Sequence, residues 1–290
     1  TPETVKETGI GGSELAALTM AKLLAAQGHR VRVYGDPGKD GEGIYEGVEY
    51  YTHDKYQDLI CDVLIVSRQS NMLDDVYNIQ AKLKLLWLHD VVPINFTNRL
   101  LLKADRILCL TEWHKQFVVN MCNVHPDQIS VTRNGLDLNR FEKPYIVRNK
   151  HKIINSSSPD RSWKTLFDCW DRIRQQVPTA EMHLYYGFEG LENMARVYPE
   201  KSQELSYFKS KIEEFKDKGV VYHGRINQDQ LADEFLSSGV WAHPTNFTET
   251  SCISAMEAQA AGCYMISSSV AALKETVGER GIWIDGDCNS

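Results

Sequence analysis

The chain alternates short apolar runs with stretches of helical periodicity, and this alternation constrains the fold more than any other feature of the sequence. Apolar runs of this kind are typical of buried parallel strands, and the helical stretches between them supply the crossover connections. Candidate strands lie at 31–34, 63–66, 85–88, 107–110 and 129–132 and, after a polar interval, at 152–154, 182–186, 220–223, 239–243 and 263–267. We therefore predict an α/β protein built on parallel sheets that are covered by helices.

The polar interval divides the chain into two halves of ordinary domain size. Residues 139–151 are polar, include Pro144 and interrupt the alternation, so we expect a linker there and domains at 1–145 and 146–290. A doubly wound domain opens with a strand that leads into its first Gly-rich turn. Here only eight polar residues precede Gly9, and the chain stops shortly after its last candidate strand, so we expect a fold truncated at both ends.

Charge and cysteine usage exclude several classes of protein. The formal net charge of −7 is opposite to that expected of a nucleic-acid-binding protein. No apolar run approaches the ~20 residues of a membrane span, and the first residues do not resemble a secretory leader. The seven cysteines form no CxxC pair, which predicts reduced thiols and a cytoplasmic protein.

Two candidate ligand contacts lie in the first half. Gly11 and Gly12 belong to a Gly-rich turn that opens a helix, where backbone N–H groups can bind an anion; a simple turn before a capped helix explains the same residues. His89 and Asp90 follow a candidate strand, and ligands of open parallel sheets bind beyond the carboxyl ends of strands. A histidine that is hydrogen-bonded in a crevice without a substrate is an equal alternative.

The second half carries the stronger candidates. Arg161 and Lys164 lie one helical turn apart where a strand turns into a helix, so they could bind a diphosphate, although Lys164 could also be a solvated helix residue. Glu249 follows the strand at 239–243, Ser251 can start a helix, and Glu257 lies about two turns along it. The amides of Cys252 and Ile253 would then face an anion, and the two carboxylates could hold different hydroxyls of one long ligand. The alternative is a pair of surface glutamates around an ordinary helix.

The chain resembles the retaining glycosyltransferases of family 4. Glu249 and Glu257 have the E-x7-E spacing of that family, and the segments GIGGSELAALTMAKLLAAQGHRVRVYG, ISVTRNGLDLNRF, MHLYYGFEG, VVYHGRINQDQLADEFLSSGVWAHPT and EAQAAGCYMISSSVAALKETVGERGIWI resemble its successive elements in order. The resemblance implies the GT-B fold, in which two Rossmann-like, doubly wound parallel-sheet domains face each other across a cleft. It covers nearly the whole chain.

The resemblance also implies a role for each candidate residue. Glu249 would hold hydroxyls of the donor sugar and Glu257 those of the ribose; Arg161 takes the place of a phosphate-binding lysine, and His89 would line the sugar pocket. The remaining donor contacts would come from Gly11, Gly12, Gly187, Arg225, Ile226, Thr250, Ser251, Cys252 and Ile253. The arginine that often precedes the phosphate-binding lysine is replaced here by Ser156, so Lys164 is a candidate substitute, and the usual Phe-Gly pair is Ser251-Cys252.

The expected activity is transfer of a sugar from a nucleotide donor, with UDP- or GDP-sugars favoured, to a glycan, lipid-linked or small-molecule acceptor. We predict no cofactor and no metal site, no nucleic-acid partner and no transmembrane segment, while peripheral contact with a membrane stays open. Two alternatives are a sugar-nucleotide epimerase of the same fold, which would convert the donor without an acceptor, and a nucleotide-sugar-binding module without turnover.

Overall fold

The computed structural model describes residues 1–2, 10–92 and 95–284. Contacts divide the chain into two units: unit 1 is Thr1–Gly135 with Thr248–Ser251, and unit 2 is Leu136–Phe247 with Cys252–Ser290. The chain therefore leaves unit 1 after Gly135 and returns to it for four residues. The segment expected to be a linker packs within unit 2, where Phe141 joins an apolar cluster and Arg140 pairs with Asp229 at 3.4 Å.

Unit 1 begins with a helix and a small sheet. Helix α1 (Gly12–Ala26) is followed by β1 (Val31–Gly35), β2 (Gly43–Tyr45) and β3 (Val48–Thr52). The strand order is β1-β3-β2, with β1 parallel and β2 antiparallel to β3. Ala21, Val48 and Tyr50 form the buried core between helix and sheet.

The β2–β3 hairpin was not predicted. Its two-residue loop is Glu46-Gly47, and both residues have positive φ (50° and 79°), as a type I′ turn requires. Asn-Gly and Asp-Gly are the strong sequence signals of this turn, whereas Glu-Gly is a weak one. The short strands around it consequently read as an irregular connection.

The larger sheet of unit 1 is wholly parallel. Its strands β4 (Ile60–Ser67), β5 (Gln80–Trp87), β6 (Arg106–Cys109) and β7 (Ile129–Val131) lie side by side in that order. Helices α2 (Asn98–Leu101) and α3 (Glu112–Cys122) lie in the connections. The core is aliphatic and includes Val66, Leu86, Leu101, Ile107 and Val118.

The described part of unit 2 is a doubly wound domain with six parallel strands. These are β8 (Asn149–Asn155), β9 (Glu181–Leu184), β10 (Val220–Tyr222), β11 (Ser238–His243), β12 (Tyr264–Ser268) and β13 (Gly281–Ile284), in the order β10-β9-β8-β11-β12-β13. Its helices are α4 (Pro159–Gln176), α5 (Glu189–Ala195), α6 (Pro199–Phe215), α7 (Gln228–Ser237), α8 (Ile253–Ala260) and α9 (Leu273–Val277). The strand order reverses between β8 and β11.

Alternate residues of each strand in unit 2 enter two different cores. Ile154, Trp241 and Met265 pack under α7, α8 and α9, whereas their neighbours Ile153, Ala242 and Ile266 pack under α4, α5 and α6. Both faces of the sheet are thus covered, which is the predicted fold class. The predicted strands are confirmed, each within a few residues of its observed bounds.

Two further predictions concern membranes and thiols. Among the described residues, no helix combines the length and the hydropathy that crossing a membrane requires. The six cysteines in the described part of the chain are not joined in disulfides. Gly9 and Cys288 lie outside the described residues.

Candidate functional site

The site in unit 2 is organised by the carboxyl ends of β8 and β11. These strands are neighbours in the sheet, and the strand order reverses between them. In open parallel sheets, ligands bind at such a switch point because the connections diverge there and leave a crevice. The loops that leave β8 and β11 contain Arg161 and the 244–252 segment, so the topology brings together two of the predicted contacts.

Asn155, the last residue of β8, connects these loops through hydrogen bonds of its side chain. Its side chain is fully buried and makes four hydrogen bonds. Nδ2 donates to Ser162 Oγ and to the Ala242 carbonyl, both at 2.8 Å, while Oδ1 accepts from the amide of Ser157 and from Trp163 Nε1, both at 3.1 Å. One amide therefore ties β8 to its following loop, to the first turn of α4 and to the end of β11.

Arg161 lies in the first turn of α4 and is held against the β11 loop. Its carbonyl accepts a hydrogen bond from Thr245 Oγ1 at 2.7 Å, and its guanidinium lies 4.1 Å from the ring centroid of Phe247. The latter is a cation–π contact, which orients the planar group. Arg161 is consequently placed as a fixed cation between the two loops.

Lys164 occupies a different position on the same helix. Its ammonium pairs with Asp168, one turn further along α4, at 2.8 Å, and its side chain is 59% exposed. Such an exposed i,i+4 pair is typical of a solvated helix face. The structure therefore groups Arg161, rather than Lys164, with the β11 loop.

Helix α8 starts at Ile253, two residues later than Ser251, the predicted start. Its N-cap residue, Cys252, is buried and has φ 68°, the left-handed conformation that glycine adopts at lowest cost. Ser254 Oγ lies 3.4 Å from Cys252 Sγ and 3.4 Å from Ser157 Oγ. The first turn of α8 thus lies beside the loop that leads from β8 to Arg161.

Glu257 lies inside unit 2 on α8. It is 8% exposed, and burial raises the pKa of its carboxyl to about 7, although the charge of Arg140 opposes this rise. Sequence periodicity alone left open a surface position for this residue. A buried carboxyl that titrates near neutrality is a group suited to a polar ligand rather than to solvent.

The loop that contains Glu249 belongs to unit 1. Thr250 Oγ1 donates to the carbonyl of His89 at 2.8 Å, and Thr111 Oγ1 donates to the carbonyl of Thr250 at 2.9 Å. Glu249 is 4% exposed. These bonds hold Thr250 and its neighbour Glu249 at the carboxyl ends of β5 and β6.

His89 follows β5 and is a largely buried histidine. Its ring lies 4.4 Å from that of Trp87, and among the described residues its buried Nε2 atom has no hydrogen-bond partner. Burial, followed by the nearby charge of Arg68, lowers the pKa of His89 to about 4. The imidazole is therefore neutral at pH 7 and can accept or donate one hydrogen bond at Nε2.

The Gly-rich turn leads into the same part of unit 1. Gly11 is the N-cap of α1 and Gly12 its first residue. Arg68 Nη1 donates to Ser13 Oγ at 3.3 Å and to Glu14 Oε1 at 3.0 Å, which links the start of α1 to the end of β4. Sequence reasoning missed Arg68, although an arginine directly after a buried strand was a signal that could have found it.

The residues expected to contact the base lie at the β9–β10 edge of unit 2. The Arg225 guanidinium stacks 5.0 Å from the ring of Tyr186, the residue before Gly187. Ile226 packs against the core under α7, α8 and α9. Arg225 and Gly187 are thus brought together through Tyr186.

The expected absence of a metal site has one further aspect in the sequence. Asp285-Gly286-Asp287 is a D-x-D triplet, a pattern that can hold a divalent ion beside a diphosphate. It lies outside the described residues.

The second half of the chain matches the model of a known protein family. Residues 158–290 match the family model described as "Glycosyl transferases group 1". No curated protein matches the chain.

Solved structures resemble the fold over nearly the whole chain. A sucrose-phosphate synthase from Thermosynechococcus elongatus is 16% identical, with a TM-score of 0.71, over 97% of this chain and 82% of its own. A glycosyltransferase from Rickettsia africae is 16% identical, with a TM-score of 0.69, over 96% of this chain and 81% of its own. HepE from Anabaena, solved with UDP, is 16% identical, with a TM-score of 0.68, over 94% of this chain and 82% of its own. At this identity the comparison establishes the fold, which is of the GT-B type.

Proposed function

We propose that the chain is a retaining, metal-independent glycosyltransferase of family 4 that moves a sugar from a nucleoside diphosphate, UDP or GDP, to a hydroxyl acceptor. The acceptor class is a glycan, a lipid-linked sugar or a small molecule, and the proposed location is the cytoplasm. The family match over residues 158–290 and the GT-B fold support this proposal. HepE, which shares the fold, was solved with UDP and with UDP-glucose.

One observation carries the proposal: at the switch point of unit 2, the cation of Arg161 and the first turn of α8 are held by adjacent loops. Thr245 and Phe247 hold Arg161 to the β11 loop, and Ser157 contacts Ser254 on α8. A guanidinium and the free amides of a helix start together favour a diphosphate. The arrangement suits the leaving group of a nucleotide sugar.

The proposed mechanism follows from the charges that develop on the nucleotide sugar during transfer. As the bond between sugar and phosphate breaks, negative charge grows on the diphosphate, and Arg161 with the α8 dipole stabilises it. Glu257 would hold the ribose hydroxyls and Glu249 those of the sugar. In a retaining reaction the acceptor oxygen attacks on the face that the diphosphate leaves, and a phosphate oxygen accepts the acceptor's proton.

The principal test replaces single residues in the purified chain. We expect Arg161→Ala and Glu249→Ala each to lower transfer by about 10²–10³-fold while melting remains cooperative, because each removes one contact to developing charge or to the sugar. Arg172→Ala, an exposed position on the same helix α4, is the matched control and should transfer at the wild-type rate. A folded Arg161→Ala variant with wild-type turnover would contradict the proposal.

Product analysis separates the proposed transferase from its alternatives. Nuclear magnetic resonance of the product should show the donor's anomeric configuration retained, and chelation by EDTA should leave the rate unchanged. Conversion of the donor without an acceptor into an isomeric nucleotide sugar would instead identify an epimerase. Binding of UDP or GDP with neither transfer nor donor hydrolysis would identify a binding module.

A further inference from the structure

Arg68 is one of several residues of unit 1 other than glycine that have a left-handed backbone conformation. It directly follows β4 and has φ 69°, in the left-handed region that costs free energy for any residue with a Cβ atom. Arginine, unlike glycine, has no preference for this region that would offset the cost. Such outliers persist where the surrounding contacts determine them, and they concentrate at functional sites.

All three guanidinium nitrogens of Arg68 donate hydrogen bonds. Nε and Nη2 donate to the two carboxylate oxygens of Asp90, at 2.7 and 3.0 Å, in a bidentate pair. Nη1 donates to Ser13 and Glu14 in the first turn of α1, as described above. One guanidinium therefore connects the end of β4, the residue after His89 and the start of the helix behind the Gly-rich turn. The head group is only 34% exposed, so solvent screens these bonds partly.

The same residues determine the surroundings of His89. The charged and titratable groups that act on its imidazole are Arg68, Asp90, Glu14 and His114, which lie after β4, after β5, in α1 and in α3. Arg68 disfavours protonation of His89, whereas Asp90 and Glu14 favour it. The carbonyl of His89 is fixed separately by Thr250. Arg68 thus acts both on the position of Asp90 and on the charge of His89.

We propose that Arg68 is a positioning residue of the transfer reaction, which locks His89-Asp90 and the first turn of α1 into one arrangement so that Nε2 of His89 meets the substrate at a fixed geometry. This proposal rests on the proposed function. A purely structural ion pair would explain the distances and the effect of the Arg68 charge on His89, but it would not link turnover to Arg68.

Two substitutions separate the bidentate hydrogen bonding of Arg68 from its positive charge. Arg68→Lys keeps a cation and loses the bidentate pair, so we expect kcat to fall about 10–100-fold with KM for the donor within about threefold, because misplacement of a reacting group acts on the rate. Arg68→Met also loses the charge. The carboxylates of Asp90 and Glu14 then act on His89 alone, its protonation becomes easier, and the acid limb of the pH–rate profile moves to higher pH.

The matched controls use Arg99, which donates to Asp74 at 3.2 Å and is 70% exposed. Arg99→Lys and Arg99→Met should leave both kcat and the pH profile at wild-type values. Titration of the histidine ring signals by nuclear magnetic resonance, with His89 assigned through His89→Gln, reports the same shift without any turnover. If wild type transfers from no nucleotide sugar, the proposed function fails, and this titration still shows whether Arg68 acts on the charge of His89.

The proposal predicts a higher pKa for His89 in Arg68→Met and an unchanged one in Arg99→Met. It is overturned if Arg68→Lys turns over like wild type, if the Arg99 variants lose as much activity as the Arg68 variants, or if His89 titrates identically in wild type and Arg68→Met. Circular dichroism and melting of every variant establish that a loss of rate is not a loss of fold.

Discussion

At the residue scale, the burial of Glu257 makes the stability of the folded chain depend on the protonation of one carboxyl. This carboxyl lies on α8 among buried residues, and burial raises its pKa from the ordinary 4.5 to about 7. In the unfolded chain the group ionises near its ordinary value, so between these two values the folded chain binds the proton more tightly. The contribution of Glu257 to stability is therefore present below about pH 4.5 and is lost as the pH rises through 7.

The first prediction follows from that sign. Glu257→Gln removes the ionisation and keeps the shape, so the variant should be more stable than wild type at pH 8, by up to about 3 kcal/mol, and equally stable at pH 4.5. Urea unfolding at both pH values measures the difference. Glu200→Gln, an exposed glutamate on α6, should give the same difference from wild type at both. A pH-independent effect of Glu257→Gln would mean that burial does not control this carboxyl.

Sequence reasoning reached some of these residues and not others for a physical reason. Arg161 and Glu257 were selected as candidates because charged residues near strand ends and helix starts stand out in the sequence. Arg68 has the same kind of position after a strand, but its positive φ and its pair with Asp90, 22 residues away, are not visible in the sequence, and neither is the bond of Asn155 to Ala242, 87 residues away. None of these features leaves a local pattern.

At the scale of elements, Asn155 shows what keeps the loops after β8 and β11 together. Its four hydrogen bonds join β8, α4 and β11 in the interior, where loss of one side chain leaves several polar groups without partners. The predicted strands were correct because alternate burial on two faces gives short continuous apolar runs. Side-chain fastenings between strands are not visible in such runs.

The second prediction tests this fastening. Asn155→Ala should lower the free energy of unfolding by about 2–4 kcal/mol, because Ala242, Ser162 and Trp163 each lose a buried partner. Asn149→Ala, on the same strand, removes two exposed bonds, one to Glu181 and one from the amide of His151, and should cost less than about 0.5 kcal/mol. Chemical denaturation of the two variants compares them. An equal cost at both positions would show that the bonds of Asn155 do not hold the junction.

At the scale of the whole molecule, the net charge and the position of a single cation describe different properties of the chain. The net charge of −7 would repel a polyanion, yet Arg161 and the α8 start lie together in unit 2. A small dianion at close range responds to these groups more than to the distant charges, because salt screens the latter. The sequence predicted both properties separately. Its net charge argued against a nucleic-acid partner, and the positions of its strands located the candidate diphosphate contacts.

The last prediction concerns which unit responds to the nucleotide alone. The proposed diphosphate contacts are all in unit 2, so UDP or GDP at 100 times its Kd should stabilise that unit by about 2.7 kcal/mol. Hydrogen exchange should then slow in peptides from 153–176 and 238–268 and stay unchanged in the sheet of β1, β2 and β3, which serves as the internal control. Arg161→Ala should abolish the protection and Arg172→Ala should retain it. Protection that survives in Arg161→Ala, or that appears in the β1–β3 sheet instead, would place the diphosphate elsewhere, since a ligand protects the residues whose opening it must oppose.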